Sequence, residues 1–182
     1  FSQVELLHEP IAAAKAYGLD EKVGDGQILI FDFGGGTFDI CLVKVEDGIM
    51  QVKDTEGDMW LGGKNLDNAI VDEIMIPNLK ENYKIDSLLS DDKKNSLLRD
   101  ALKVEAEKIK IALSFSDSYD VISDVGDYPE DDDGNEIELD FTVSKDEMER
   151  VLGPIFQKAI DITIEVLKRN NLDGKSIQSL IL

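Results

Sequence analysis

Ile28-Leu29-Ile30-Phe31-Asp32-Phe33-Gly34-Gly35-Gly36-Thr37-Phe38-Asp39-Ile40 decides how the rest of this chain is read. An apolar run predicts a buried strand that delivers Asp32, turns through three consecutive glycines and leaves through a second strand-forming run. Glycine tolerates positive φ and has no Cβ, so successive backbone N–H groups can converge on one anion. Asp32 and Asp39 flank that turn and would repel phosphate unless a cation lay between them. Magnesium, which prefers oxygen ligands and retained waters, suits the position. The competing reading is a ligand-free glycine-rich hairpin, but a hairpin needs one or two glycines, not three with acid on both sides.

The strand after the turn separates this motif from the common nucleotide folds. Dinucleotide-binding and P-loop proteins place a helix directly after the glycine loop. Here Phe38 to Val45 reads as strand, and Asp47-Gly48 is a two-residue hairpin signal leading into Ile49-Met50-Gln51-Val52-Lys53-Asp54. Three consecutive antiparallel strands are predicted.

With 182 residues the chain can hold one domain with a substantial core or two small subdomains. Its 19 basic and 39 acidic residues give a net charge of -20, which disfavours nucleic acid and anionic membranes as partners. Cys41, the single cysteine, lies in the apolar strand after the glycine turn, so it reads as a small buried side chain in a reducing compartment. No run approaches the length of a membrane span, and Phe1-Ser2-Gln3 lacks the features of a signal peptide. A cytoplasmic location is the expectation. The final Ile177 to Leu182 reads as a strand, and both ends read as cuts from a longer protein.

Elsewhere the periodicity gives helices and a second hairpin. Glu9-Pro10 opens an alanine-rich helix that Gly18 would stop, and Glu9 there suits the helix dipole as well as it suits catalysis. Gly62-Gly63 precedes a helix carrying Leu66, Ala69, Ile70 and Ile74, a place for a phosphate or simply a turn, and Pro77 is expected to kink or end that helix. A long helix from about Ser90 to Leu113 has a core stripe of Leu98, Leu102, Ala106, Ile109 and Leu113. Its other side carries Glu107, Lys110 and Ser114 beside Ile111, a row that pattern alone reads as a solvated face. Ser118 to Val125 and Ile137 to Val143 read as strands, with Glu130 to Gly134 as their solvated tip rather than a calcium loop. Ser144-Lys145-Asp146-Glu147 is a capping box for a helix that Gly153-Pro154 is expected to interrupt, with a second piece ending near Asn170-Asn171. His8, the sole histidine, has no partner at zinc-ligand spacing.

Taken together, Asp32 to Asp39, His8-Glu9-Pro10 before Ala12-Ala13-Ala14, Ala16-Tyr17-Gly18, Gly57-Asp58 with Leu61-Gly62-Gly63, and Glu105 to Ser114 resemble, in order, signatures of the ATPase domain of the seventy-kilodalton heat-shock (DnaK-type) chaperones. The resemblance spans essentially the whole chain. It implies an α/β actin-like (ribonuclease H-like) ATPase fold, specifically its second lobe. Residues 1–21 would form a connecting helix, 22–62 and 144–182 a sheet-bearing inner subdomain with a mixed sheet, and 63–143 an inserted α+β outer subdomain.

The same resemblance implies ATP or ADP with magnesium as cofactors. Gly34, Gly35, Gly36 and Thr37 would hold phosphates, with Gly62 and Gly63 in the binding set, and Asp32 and Asp39 would line the metal site. Glu9, Asp32 and Thr37 would carry the catalytic roles, Glu9 by placing the attacking water. Glu107, Lys110, Ile111 and Ser114 would contact ribose and adenine. Implied partners are a J-domain co-chaperone, a nucleotide exchange factor and, through a domain outside this chain, unfolded clients. The sequence departs from the family pattern at His8, at Met59-Trp60 and at Pro77. It also lacks the first-lobe phosphate loop and the adenosine segment, so the chain alone is not expected to hydrolyse ATP. Alternatives are a non-catalytic actin-like scaffold or interaction module, and a small-molecule kinase of the same superfold.

Overall fold

The computed structural model describes residues 9–16, 24–123, 126 and 128–182. His8, Tyr17, Gly18 and the end of the strand expected to reach Val125 lie outside the described residues. The chain divides into two compact units, Phe1–Gly63 with Phe156–Leu182, and Lys64–Ile155.

The first unit is built on the predicted hairpin pair. Strands β1 (Gly26–Phe33), β2 (Phe38–Glu46) and β3 (Ile49–Asp58) run antiparallel in sequence, and β6 (Ser179–Ile181) adds a parallel strand, giving a mixed sheet of order β3-β2-β1-β6. Asp47 (φ 50°) and Gly48 (φ 73°) make the β2–β3 turn, the pair of positive φ angles that matches strand twist in a two-residue hairpin. Helix α1 (Glu9–Ala16) brings Ile11 and Ala14 into one core with Ile28, Ile30, Cys41, Val43, Val45 and Ile181. Its small alanine side chains allow that close approach. The thiol of Cys41 is buried, and burial first and the charge of Asp54 second push its pKa up to about 11, so it behaves as an inert apolar group.

One residue changes the geometry of β3. Leu42 pairs with Asp54 but Val43 pairs with Val52, so Lys53 is an extra residue, a β-bulge. Because side chains alternate across a strand, the bulge reverses which residues face α1. Met50 and Val52 pack on the α1 core before it, whereas Thr55 and Gly57 stand opposite Cys41 and Asp39 after it.

The second unit is mainly helical. Helix α2 (Gly63–Ile70) passes through a π turn (Val71–Met75) directly into α3 (Ile76–Asn82). Of the two outcomes expected at Pro77, a kink or an end, the end does not occur, since the helix continues into α3. The wider π turn, in which the Ile76 N–H reaches the Val71 carbonyl, takes up the strain just before the proline ring. Helices α4 (Asp86–Ser90) and α5 (Asp92–Leu113) follow, the latter capped by Asp91, whose carboxylate accepts from the Lys93 and Lys94 N–H groups. The predicted stripe of Leu98, Leu102, Ala106, Ile109 and Leu113 is buried at 0% exposure, and each such large side chain contributes about 1.5–3 kcal/mol.

Three expectations fail outright, two in this unit and one in a helix shared by both. β4 (Ser118–Ile122) pairs with β5 (Asp140–Ser144), but residues 137–139 are not strand. Ile137 and Leu139 are buried, yet the Glu138 N–H donates to the Tyr83 hydroxyl and the Leu139 N–H to Ser123 Oγ, so side chains take these two backbone donors while the Leu139 carbonyl still accepts from the Ser123 N–H. The acidic tip is not fully solvated either. Asp131 is 8% exposed and its carboxylate accepts from the N–H groups of Lys84, Asp133 and Asn135, because it is the hub that closes the turn.

The third failure is α6 (Lys145–Arg169), which runs unbroken through Gly153-Pro154. Burial of Val151, Leu152, Ala159 and Val166 on either side of Pro154 outweighs the one hydrogen bond that the proline removes. At its start Ser144 Oγ accepts from the Glu147 N–H, as the capping box predicts.

Candidate functional site

On the α1 side of the sheet, a cavity of about 300 Å³ is lined by Glu9, Asp32, Asp39, Cys41 and Thr55, with Ile30 beneath them. The β1–β2 register sets Asp32 directly opposite Asp39. Like charges facing across a strand pair repel. Neither carboxylate is paired with a cationic side chain among the described residues. Glu9, the first residue of α1, brings a third carboxylate to the same cavity. The described residues contain no group of three acids, histidines or cysteines close enough to enclose a metal ion. Two facing carboxylates with open space beside them instead suit a hard cation that keeps most of its waters.

The glycine turn lies between these two aspartates. Gly34 donates its N–H to the Thr37 carbonyl at 2.9 Å, which closes the turn, while the N–H groups of Gly35 and Gly36 take no hydrogen-bond partner among the described residues. The glycines are not needed for positive φ, since the described glycines with positive φ are Gly48, Gly126 and Gly134. Their need is for close approach. A Cβ on Gly62 would sit 2.7 Å from the Gly36 nitrogen and 2.8 Å from the Gly34 oxygen, and the Gly63 N–H donates to that same oxygen at 2.9 Å. At Gly35 a Cβ would meet nothing within 4 Å. The turn is thus pressed against residues 62–63 on one side and open on the other.

In the second unit, the row on α5 is more than a solvated face. Lys110 lies 2.5 Å from Asp67 Oδ1 and 2.6 Å from Glu107 Oε2. Burial is the largest influence on its pKa and pulls it down, but the hydrogen bonds to Asp67 and Glu107 together raise it. Ser114 Oγ donates to the Lys110 carbonyl within the helix, and Ile111 is 56% exposed. The structure brings Glu107 and Lys110 into contact and leaves Ile111 and Ser114 at the surface beside them.

The family model for Hsp70 protein matches residues 2–182. The chain belongs to the Hsp70 family. It is 38% identical over 179 residues to the mitochondrial-type heat shock protein 70 of Encephalitozoon cuniculi, covering 98% of this chain and 28% of that protein. It is 33% identical over 177 residues to the chaperone protein DnaK of Akkermansia muciniphila, covering 97% of this chain and 26% of that protein. Against heat shock protein hsp-6 of Caenorhabditis elegans the identity is 31% over 179 residues, covering 98% and 26%. The chain therefore spans about a quarter of the length of the curated relatives it matches.

Several contacts in this Hsp70 chain escape a reading of motifs alone. Thr55 joins the cavity lining through the bulge at Lys53, which no local pattern announces, whereas Cys41 lines it from β2, on the same strand face as Asp39. Asp67 meets Lys110 across two helices, a pairing that spacing within α5 cannot reveal. Arg169 and Lys158 of α6 bind the acids of β3. A signal for that pairing does exist, since Asp54, Glu56 and Asp58 alternate along one strand face while Lys158 and Arg169 lie eleven residues, about three helical turns, apart.

Proposed function

We propose that this chain is part of the ATP-binding and ATP-hydrolysing domain of an Hsp70 molecular chaperone, in which nucleotide state is coupled to the binding of unfolded protein. The observation that carries this reading is the pair of unpartnered N–H groups at Gly35 and Gly36, flanked by the facing carboxylates of Asp32 and Asp39. Backbone donors without a Cβ in front of them, beside acids that need a cation, suit a metal-bound phosphate.

In this proposal the Gly34 to Thr37 turn holds nucleotide phosphates, and the Gly62–Gly63 segment braces it from behind at the start of α2. Asp32 and Asp39 hold magnesium through its waters, and magnesium when bound offsets the phosphate charge. Glu9 orients an attacking water from the opposite wall of the cavity, and Thr37 contacts the reacting phosphate. Such a site works by positioning and charge neutralisation rather than by covalent chemistry. Glu107, Lys110, Ile111 and Ser114 receive the nucleoside, the exposed Ile111 as an apolar platform and Glu107 as a hydroxyl acceptor.

The fold is proposed to be the second lobe of an actin-like ATPase domain, with an inner sheet-bearing part from 22–62 and 144–182, an outer part from 63–143 and a connecting helix in 1–21. A J-domain co-chaperone, an exchange factor and unfolded clients are the proposed partners of the whole protein. The test is ATP turnover of the complete parent protein with Gly35 and with Gly35→Asp. A side chain at 35 has room in the fold but enters the phosphate space with a negative charge. Loss of turnover is expected, and equal turnover would sink the proposal.

A further inference from the structure

Strand β3 forms one wall of the Asp32–Asp39 cavity, and what holds it there is a side chain outside that cavity. Thr55 lines the space, and Gly57 stands so close to Asp39 that a Cβ would lie 2.7 Å from Asp39 Oδ1. Both residues face the site only because Lys53 is bulged, and a bulge is where an edge strand can change register. A slip of one residue would turn Asp54 and Glu56 toward the facing aspartates and withdraw Thr55.

On the other face of the sheet, Arg169 at the end of α6 binds three successive residues of β3. Its Nε and Nη2 donate to the two Asp54 carboxylate oxygens at 2.6 and 2.8 Å, Nη1 donates to Glu56 Oε2 at 2.7 Å, and Nη2 also reaches the Thr55 carbonyl at 3.1 Å. Asn170 adds a bond from Nδ2 to Asp54 Oδ2. Three turns earlier on the same helix, Lys158 binds Asp58 Oδ2 at 2.5 Å. The planar guanidinium fork fits one register only, because the carboxylates it bridges are next-but-one neighbours on a single strand face.

We infer that Arg169 is a positioning residue for the Asp32–Asp39 site, locking the register of β3 beyond the Lys53 bulge so that Thr55 and Gly57 back the Asp39 carboxylate. The inference rests on the site reading proposed above. It assigns Arg169 no contact with ligand.

The experiment compares the chain with its Arg169→Ala, Arg169→Lys and Asp54→Asn/Glu56→Gln variants by amide hydrogen exchange and by NMR titration with magnesium and ADP. In Arg169→Ala and in the double variant, the Thr55 and Gly57 amides are expected to lose protection while the β1–β2 ladder keeps it. Magnesium-dependent ADP affinity is expected to fall on the order of tenfold, the usual effect of removing a residue that orients ligand-bearing groups. Arg169→Lys should restore part of both, since a point charge reaches one carboxylate but not the pair and the carbonyl. Unchanged protection of Thr55 and Gly57, or unchanged affinity in a folded variant, would overturn the inference. Asp39→Asn separates the two readings: if it leaves magnesium-dependent ADP binding intact, the site proposal fails, whereas the exchange data alone decide whether Arg169 sets the register.

Discussion

Gly63 donates its backbone N–H to the carbonyl of Gly34 at 2.9 Å, tying the start of α2 to the glycine turn between β1 and β2. The two glycine segments that stand far apart in sequence are therefore one object, with backbone packed on backbone and no side chain between.

That contact makes neighbouring glycines unequal. Gly62→Ala places a Cβ against the Gly36 nitrogen and Gly34 oxygen, neither of which can rotate away, and should cost about 1–3 kcal/mol. Gly35→Ala meets nothing and should change stability by about 0.5 kcal/mol or less. Urea unfolding of the two variants checks this, and equal losses would show that residue 62 does not bear on the turn.

The Arg169 clamp gives stability an acid limb. The hydrogen bond from Arg169, helped by Asn170 and opposed by partial burial, lowers the Asp54 pKa to about 2. A depressed carboxylate pKa contributes stability that is present above its unfolded value, near 4, and is lost as pH falls toward the folded one. The urea midpoint should thus fall between about pH 4 and pH 2, and Asp54→Asn should flatten that part of the profile. An unchanged profile in the variant would place the acid sensitivity elsewhere.

Pro154 sits inside a continuous helix without a donor for the preceding turn. Pro154→Ala restores that bond and should raise stability by about 1–3 kcal/mol, read as a higher thermal midpoint. A lower midpoint would mean that the proline is required where it stands.

How much of this was readable in advance depends on the range of the forces involved. The β1–β2–β3 meander, the Asp47-Gly48 turn, the core stripe of α5 and the burial of Cys41 follow from local alternation and turn chemistry, and they appear as predicted. Boundaries decided by partners distant in sequence do not. Residues 137–139 have strand-like alternation, but Tyr83 and Ser123 take their backbone donors. Pro154 reads as a break because local propensity ignores the burial gained by continuing, and at Pro77, read as a kink or an end, a π turn lets the helix go on. At the candidate site the acids and glycines were legible, whereas Thr55 entered through a bulge and Asp67 through a contact between helices.

The central claim is that Gly34 to Asp39 forms one side of a phosphate and magnesium site, and backbone NMR of this chain titrated with magnesium and ADP tests it most directly. Weak binding is expected, with shifts concentrated at Gly35, Gly36, Thr37 and Asp39 and abolished by Gly35→Asp, because a one-sided site encloses little of the ligand. Shifts confined to other residues, or shifts at the turn that survive Gly35→Asp, would contradict it.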